Sequence, residues 1–284
     1  MIRTWAYYTV VRAHYHENSI PWKDIAISGL VTMKGEKMSK SKGNTIRPQE
    51  AMQQFGSDAV RFWAASSKLG ENMDYQEKDI LTGKKFLTKI TNAANFVFMN
   101  FEHQAKMPKL VEVDRLFLEQ LNRVIESCTL SFDSYNYFKA KSETESFFWK
   151  DFCDNYLEIV KNRVYNGTKE EKASAFYTLR ESLLTILKLM APFIPFTTED
   201  IYQSHFKKQE KDSSIHISKW PSNFKTTSQK DDKKVWDKLL EIIYQVRQKK
   251  SIAQKSMKAE IILTLPKADQ SALKEVLDDL KAVT

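Results

Sequence analysis

The sequence predicts a mainly α fold, and three observations carry that reading. Apolar residues recur at helical spacing along most of the 284 residues, with only seven glycines and seven prolines to interrupt them. Strand-like alternation is confined to short stretches. The long helical runs in the second and third quarters follow one another through short connections, the pattern of an antiparallel bundle.

Taken in order, Ile2–Tyr15 is apolar on most faces and starts without a capping residue, which implies a chain cut from something longer. Asp24–Val31 alternates and is β-branched enough for a buried strand, and Lys34–Asn44 is a polar, lysine-rich loop. Pro48 suits the first turn of a helix that continues through Met52. Gly56-Ser57-Asp58 breaks the chain and caps the next helix, Ala59–Ser66.

Asp79–Phe101 turns Ile80, Phe86, Leu87, Ile90, Ala94 and Val97 to one side. Asp114–Cys128 does the same with Leu116, Phe117, Leu121, Val124 and Ile125. Tyr135–Tyr165 reads as one long helix around Phe138, Phe148, Phe152, Tyr156, Ile159 and Val160. Lys169–Ala191 presents Phe176, Leu179, Leu183, Ile186, Leu187 and Met190, and after Pro192 and Pro195 a helix resumes at Thr197–Phe206. Residues 207–234 read as a polar linker across the surface, with a short ordered strand at Ile215–Trp220. Val235–Lys250 is helical, Ala259–Leu265 a strand and Ser271–Leu280 helical, so that the chain ends where a further strand would return. The resulting divisions are 1–46, 47–78, 79–206, 207–234 and 235–284.

Composition narrows the function classes. Hydrophobic residues at 42% and charged residues at 28% fit a folded protein rather than a disordered one. No apolar run reaches the ~18–20 residues of a membrane span, and the N-terminus lacks the basic start and apolar core of a signal peptide. Cys128 and Cys153 form no CxxC pair, and the five histidines make no zinc-like cluster. A disulfide framework and a structural zinc are therefore not expected, and a reducing cytoplasm fits. The net charge of +8 is divided as +5 over residues 1–100, −3 over 101–200 and +6 over 201–284. Basic ends around an acidic middle suggest at least two surfaces for polyanions, the alternative being that the lysines simply solvate helix faces, so charge alone leaves the partner open.

The chemistry concentrates in Lys37-Met38-Ser39-Lys40-Ser41-Lys42-Gly43-Asn44. Lys37 and Lys40, three residues apart among small hydroxyl residues in a loop after a strand, can set two ammonium groups beside a phosphate chain. Serine hydroxyls and backbone N–H groups add donors. Such a loop is suited to stabilising charge on a leaving pyrophosphate.

KMSKS followed by KGN resembles the second signature of class I aminoacyl-tRNA synthetases. Around it, Ile2-Arg-Thr-Trp-Ala-Tyr-Tyr-Thr9, Pro21-Trp22-Lys23, Ile27-Ser-Gly-Leu-Val31 and Ala59-Val-Arg-Phe-Trp-Ala-Ala-Ser-Ser67 resemble the valyl-tRNA synthetases, in their archaeal-like branch. Phe148–Glu158 is similar to an anticodon-domain helix of that family. Met190–Glu199 is similar to a segment shared with the isoleucyl and leucyl relatives. The likeness runs from residue 2 to about 250.

This resemblance implies the end of a Rossmann-type catalytic core over 1–46, a stem-contact-like segment over 47–78 and a helical-bundle anticodon-binding domain over 79–206. After the linker it implies a small α/β C-terminal piece over 235–284. It implies that Lys37 and Lys40 neutralise the triphosphate of ATP, that Ser39 and Ser41 hold the loop and that Met38 packs near the nucleotide. Gly29 and Leu30 match a strand end close to adenine, and Trp5 matches a tryptophan bordering the amino-acid pocket, ordinary packing being its rival role. Asn44 ends the loop by capping. Phe147, Trp149, Lys161, Arg163 and Tyr165 are candidates for meeting splayed bases, most of them serving the core or phosphates instead. Arg247–Lys258 is a basic patch suited to tRNA backbone or simply to solvation.

The partners implied are tRNA(Val), with valine, ATP and Mg²⁺ in the complete enzyme, and a monomeric state. The His-Ile-Gly-His signature and the editing domain are absent from this sequence, so the isolated chain is expected to bind tRNA without charging it. A stand-alone RNA-binding module and an isoleucyl enzyme are the alternatives.

Overall fold

In the structure, a computed structural model, residues 2–99 and 107–284 are described, with side chains from Thr4 onward. Wide π-type turns at Ile2–Ala6 lead into α1 (Tyr7–Glu17), which has no buried residue despite its apolar composition. The strand expected over Asp24–Val31 is shorter and later. Its early part is irregular apart from a bridge between Ser28 and Leu69, and β1 occupies Val31–Met33. β2 (Glu36–Lys37) pairs with it antiparallel, and β3 (Met73–Asp74) pairs parallel, in the order β2-β1-β3. The tight β1–β2 turn places Lys34 and Gly35 at φ 54° and 77°, the left-handed values a two-residue hairpin demands.

α2 (Pro48–Phe55) begins with its proline at the first helical position, and α3 (Ser57–Ala64) follows after Gly56. The bundle consists of α4 (Glu77–Met99), α5 (Glu112–Asp133), α6 (Tyr137–Ser146), α7 (Leu157–Asn166), α8 (Lys169–Met190) and α9 (Pro195–His205). The expected end of α4 at Phe101 lies outside the described residues. Its inward residues Ile80, Phe86, Ile90, Ala94 and Val97 are buried, as are Leu116, Phe117 and Leu121 of α5 and Phe176, Leu179, Leu183 and Leu187 of α8.

The run Tyr135–Tyr165 is not one α-helix. Tyr135 takes φ 57° in the turn, Asn136 caps α6, and Phe147–Tyr156 widens into π turns between α6 and α7. Phe147, Phe148, Phe152 and Tyr156 are buried along this segment, and Phe117 stacks on Tyr156 at 3.9 Å between centroids, 3° from parallel. π turns of this kind concentrate where packing or function demands a shift of face.

One buried carboxylate joins four helices. Asp114 on α5 accepts from Tyr156 Oη (2.6 Å), Arg163 Nη1 and Nη2 (2.8 and 2.6 Å) and Ser174 Oγ on α8 (2.5 Å). Arg163 also donates from Nε to Asp279 (2.7 Å) on α12 (Leu277–Val283), so the pair ties the C-terminal helices to the bundle. Arg163 is thereby structural rather than a reader of bases, and Phe147 is core.

Residues 207–234 form a strap, bound first to α8 and α9 (Gln209 and Glu210 to Arg180, Asp212 to Tyr202) and then, from Trp220, along α5. The Asn122 amide accepts from Phe224 N–H (2.8 Å) and donates to Phe224 C=O (3.2 Å), replacing a strand pairing with a side chain. Trp220 Nε1 donates to Thr129 (2.9 Å), and Arg115 Nη1 donates to Thr227 C=O (2.7 Å). Ile215–Ile217 is a single 3₁₀ turn, not the strand expected there. Beyond the strap, α10 (Asp232–Ile252), α11 (Lys267–Ala272) and α12 complete the chain. Ala259–Leu265, expected as a strand, has no strand partner among the described residues, so the C-terminal piece is helical with one unpaired segment there.

α3 joins the sheet to the bundle. The Asp58 carboxylate accepts from Phe196 N–H (3.4 Å) and Thr197 N–H (2.6 Å) in the first turn of α9. One turn along, Arg61 donates to the carbonyls of Phe193 (3.2 Å) and Pro192 (2.8 Å), just past the end of α8. An acid at a helix start and a base at a helix end suit the poles of those helices. Lys141 of α6 adds a bond to Ser66 (2.9 Å), pairs with Glu145 (2.7 Å) and lies 3.6 Å from the centre of the Phe62 ring.

Two outcomes follow for stability. Arg163→Met strands a buried carboxylate and is expected to cost about 3–5 kcal/mol in a denaturant titration. Burial also raises the Asp279 carboxyl to about 6, against the pull of Arg163 and with Asp114 and Glu171 adding repulsion. The folded chain then binds this proton more tightly than the unfolded chain, so the contribution weakens as pH rises from the ordinary carboxylate range through 6. Hydrogen-exchange protection of α12, corrected for intrinsic rates, is expected to fall between pH 5 and pH 7, and Asp279→Asn to flatten that dependence.

Candidate phosphate-binding loop and its support

The hairpin β1–β2 carries the lysine loop at its end. Asp74 of β3 accepts from Gly35 N–H (2.9 Å) and Thr32 Oγ1 (2.9 Å), so the sheet's third strand braces the turn. The Gly35 amide, then Thr32, hold the Asp74 carboxyl below its ordinary range. Asn72 beside it accepts from Leu30 N–H (2.9 Å). Within the loop, Lys42 N–H donates to Ser39 C=O (3.1 Å) and Gly43 N–H to Lys40 C=O (3.2 Å), forming a 3₁₀ turn over Lys40–Lys42. The hydroxyls of Ser39 and Ser41 lie 2.8 Å apart, so both belong to one hydrogen-bonded pair.

The three lysines are not equivalent. Lys42 pairs with Glu36 at 3.1 Å, while Lys37 and Lys40 are exposed and have no ion-pair partner among the described residues. Two free cations beside small donors suit a polyphosphate, and the spacing that singled them out in sequence corresponds to this difference in pairing. Met38 is half-buried at the loop's base.

The other sequence candidates divide. At Gly29 a Cβ would lie 1.8 Å from the Glu71 carbonyl oxygen, so the neighbouring chain, before any ligand, demands glycine here. Leu30 is half-exposed beside it. Trp5 is 56% exposed and stacks on Trp22 at 5.6 Å, 8° from parallel, so it faces solvent through an aromatic pair rather than a packed core. Trp22 stands in the sequence only within Pro21-Trp22-Lys23, with no role of its own, and Glu36, Asn72 and Asp74 carry no local signal there; the last two bond residues about forty positions away.

On the bundle, Trp149 packs edge-on against Phe86 with Lys89 5.7 Å over its ring. Lys161 is bound to Glu158 (2.6 Å), and Tyr165 is 52% exposed. In the basic patch, Arg247 donates to Asp154 C=O (2.9 Å), and the buried Lys250 donates to the carbonyls of Met257 and Thr284. Lys249, Lys255 and Lys258 are exposed and unpaired among the described residues. A cavity of about 1120 Å³ lies between α7, α10 and the segment 257–265, lined by Lys161, Asn162, Arg247 and Leu263 among others. Among the described residues no three His, Cys, Asp or Glu side chains are grouped to hold a metal, and no helix is long and apolar enough to cross a membrane.

A helical bundle hydrogen-bonded through α3 to a small sheet that presents a two-lysine loop fits a class I tRNA synthetase, and sequence comparison agrees. Residues 1–76 match the class I tRNA synthetases of the I, L, M and V group, and residues 114–263, more than half of the chain, match the anticodon-binding domain of tRNA ligase. The chain belongs to that tRNA-ligase family. Its relatives include valine–tRNA ligases of Ehrlichia ruminantium (42% identical, covering 92% of this chain and 32% of that protein) and Rickettsia felis (39%, covering 100% and 34%). That of Wolbachia pipientis is 41% identical, covering 100% and 33%. The chain thus spans about a third of the length of the curated relatives it matches. A crystal structure of a LeuRS of Agrobacterium radiobacter, in a ternary complex with tRNA and LeuAMS, shares the fold. Its TM-score is 0.56 at 21% identity, over 77% of this chain and 26% of that one.

The close approach at Gly29 gives a direct check. Gly29→Ala is expected to push the 69–72 chain away, release the Leu30–Asn72 bond and quicken hydrogen exchange in β1 and β3, while the bundle helices keep their protection.

Proposed function

We propose that the chain is the signature-loop and anticodon-binding part of a valine–tRNA ligase, the enzyme that activates valine with ATP and joins it to tRNA(Val). The observation that carries this is the pair of unpaired lysines, Lys37 and Lys40, on a loop braced to a bundle whose relatives are valine–tRNA ligases. Bound ATP supplies the phosphoanhydride whose cleavage activates the amino acid. In that step Lys37 and Lys40 offset negative charge developing on the departing pyrophosphate, while the paired Ser39 and Ser41 hydroxyls hold the loop and leave one O–H free to donate to the same oxygens. Met38 packs near the nucleotide, the Gly29–Leu30 backbone borders adenine, and Trp5 borders the valine pocket. Magnesium would arrive with the triphosphate, and no residue of this chain is assigned to it.

The bundle supplies tRNA recognition. With Phe147 and Arg163 committed to the core, exposed Tyr165 and half-exposed Lys161 on α7 are the candidates left to meet bases, and Lys249, Lys255 and Lys258 meet phosphates. The working protein is a cytoplasmic monomer. The isolated chain binds tRNA(Val) but does not charge it, because the His-Ile-Gly-His half of the ATP site is not in this sequence.

The test is equilibrium binding of the purified chain to a tRNA(Val) transcript and to an anticodon-swapped version at fixed salt. A preference for the unswapped transcript of about tenfold, ~1.4 kcal/mol, is expected. Equal binding with a steep loss in salt would reduce the bundle to a phosphate-binding surface. Valine-dependent ATP–pyrophosphate exchange above a blank would overturn the expected inactivity of the isolated chain.

A further inference from the structure

We infer that Asn44 is a positioning residue for the lysine loop, holding the backbone so that Lys37 and Lys40 are presented together to a polyphosphate. The inference rests on the phosphate reading of that loop. Asn44 lies beyond the signature, yet its side chain reaches back across it. Oδ1 accepts from Ser39 N–H at 2.8 Å, and Nδ2 donates to Lys37 C=O at 3.3 Å. The amide therefore grips the chain on both sides of Met38, between the two free lysines.

Side-chain chemistry makes this choice of residue specific. A carboxylate of the same length accepts but does not donate, a serine does not span the gap, and a glutamine is one methylene too long for both bonds at once. The remaining loop closure does not substitute for it. Lys42 N–H to Ser39 C=O and Gly43 N–H to Lys40 C=O fix the stretch after Ser39, and Asp74 fixes the turn before Glu36. Beyond its β2 pairing, Lys37 relies on Asn44 for its tie to the stretch that follows.

Charge placement acts in the same direction. Glu36 draws Lys42 back towards the hairpin at 3.1 Å, leaving Lys37 and Lys40 as the free cations of the signature itself, with Lys34 exposed in the turn before it. Ordering these two before an anion arrives removes an entropic cost that a loose lysine loop would meet on binding. Asn44 carries no charge and touches no phosphate in this role; it acts through the lysines.

The test titrates the full chain with inorganic tripolyphosphate at fixed ionic strength, following ³¹P resonances, across a series of salt concentrations. The parent chain is compared with Asn44→Ala, Asn44→Ser and the double substitution Lys37→Ala/Lys40→Ala. Amide exchange of residues 33–44 is measured in parallel. Asn44→Ala is expected to weaken binding by about fivefold or more with the salt slope unchanged, since no cation is lost, while exchange at Ser39 quickens. Asn44→Ser should fall between it and the parent. The double substitution should abolish binding.

Affinity for Asn44→Ala within twofold of the parent, with faster exchange, would overturn the inference and leave Asn44 as a loop cap alone. Binding that survives the double substitution would place the anion elsewhere and overturn it as well. A parent chain that takes no tripolyphosphate would sink the phosphate reading and this inference with it. The first of these outcomes leaves the phosphate reading standing, and the other two do not.

Discussion

The bundle is organised around the buried carboxylate of Asp114. Asp114 is fully enclosed and yet makes four hydrogen bonds, two of them to one guanidinium, so its charge is matched within the core. A buried ion is tolerated only under such conditions, because its desolvation is expensive unless every lone pair is answered. The partners come from the π segment, α7 and α8, and Arg163 passes the connection on to Asp279 of α12. These elements cannot rotate or slide independently without leaving an ion unpaired. The stacked ring of Phe117 and Tyr156 lies in the same place, so the polar and aromatic constraints agree.

A second constraint of the same kind reaches from the bundle to the lysine loop. Asp58 and Arg61, one turn apart on α3, answer orphan N–H groups at the start of α9 and orphan carbonyls past the end of α8. The chain from α3 then runs directly into β3, whose Asp74 braces the hairpin turn. Loop and bundle are thus joined by hydrogen bonds with directional demands rather than by apolar contact alone.

The helices were legible because each repeats its own local signal. Ile80, Phe86, Leu87, Ile90, Ala94 and Val97 mark the inward face of α4 by spacing alone, and all but the half-buried Leu87 are buried. The signature lysines were legible for a related reason, since five consecutive residues carry the pattern. Illegible features were those in which the partner is distant. Asn122 holding Phe224 turns an apparent linker into a fixed strap, across about a hundred residues. The isolated apolar run Ala259–Leu265 has the composition of a strand, but pairing needs a second chain segment that is not among the described residues. The π turns over Phe147–Tyr156 keep an apolar face that a continuous α-helix would also have shown, so periodicity could not separate the two.

By itself the sequence determined a mainly helical bundle, the two-lysine signature loop and membership among the tRNA ligases, because each is written in adjacent or evenly spaced residues. The tertiary structure alone decided which charges are free to act. Arg163 and Lys250 look in sequence like surface cations, and both are buried and paired. Lys42 lies between the signature and Asn44 and is held by Glu36, whereas Lys37 and Lys40 are left open. Availability of a charge depends on what lies within a few ångströms of it in space, and residue order along the chain does not specify that.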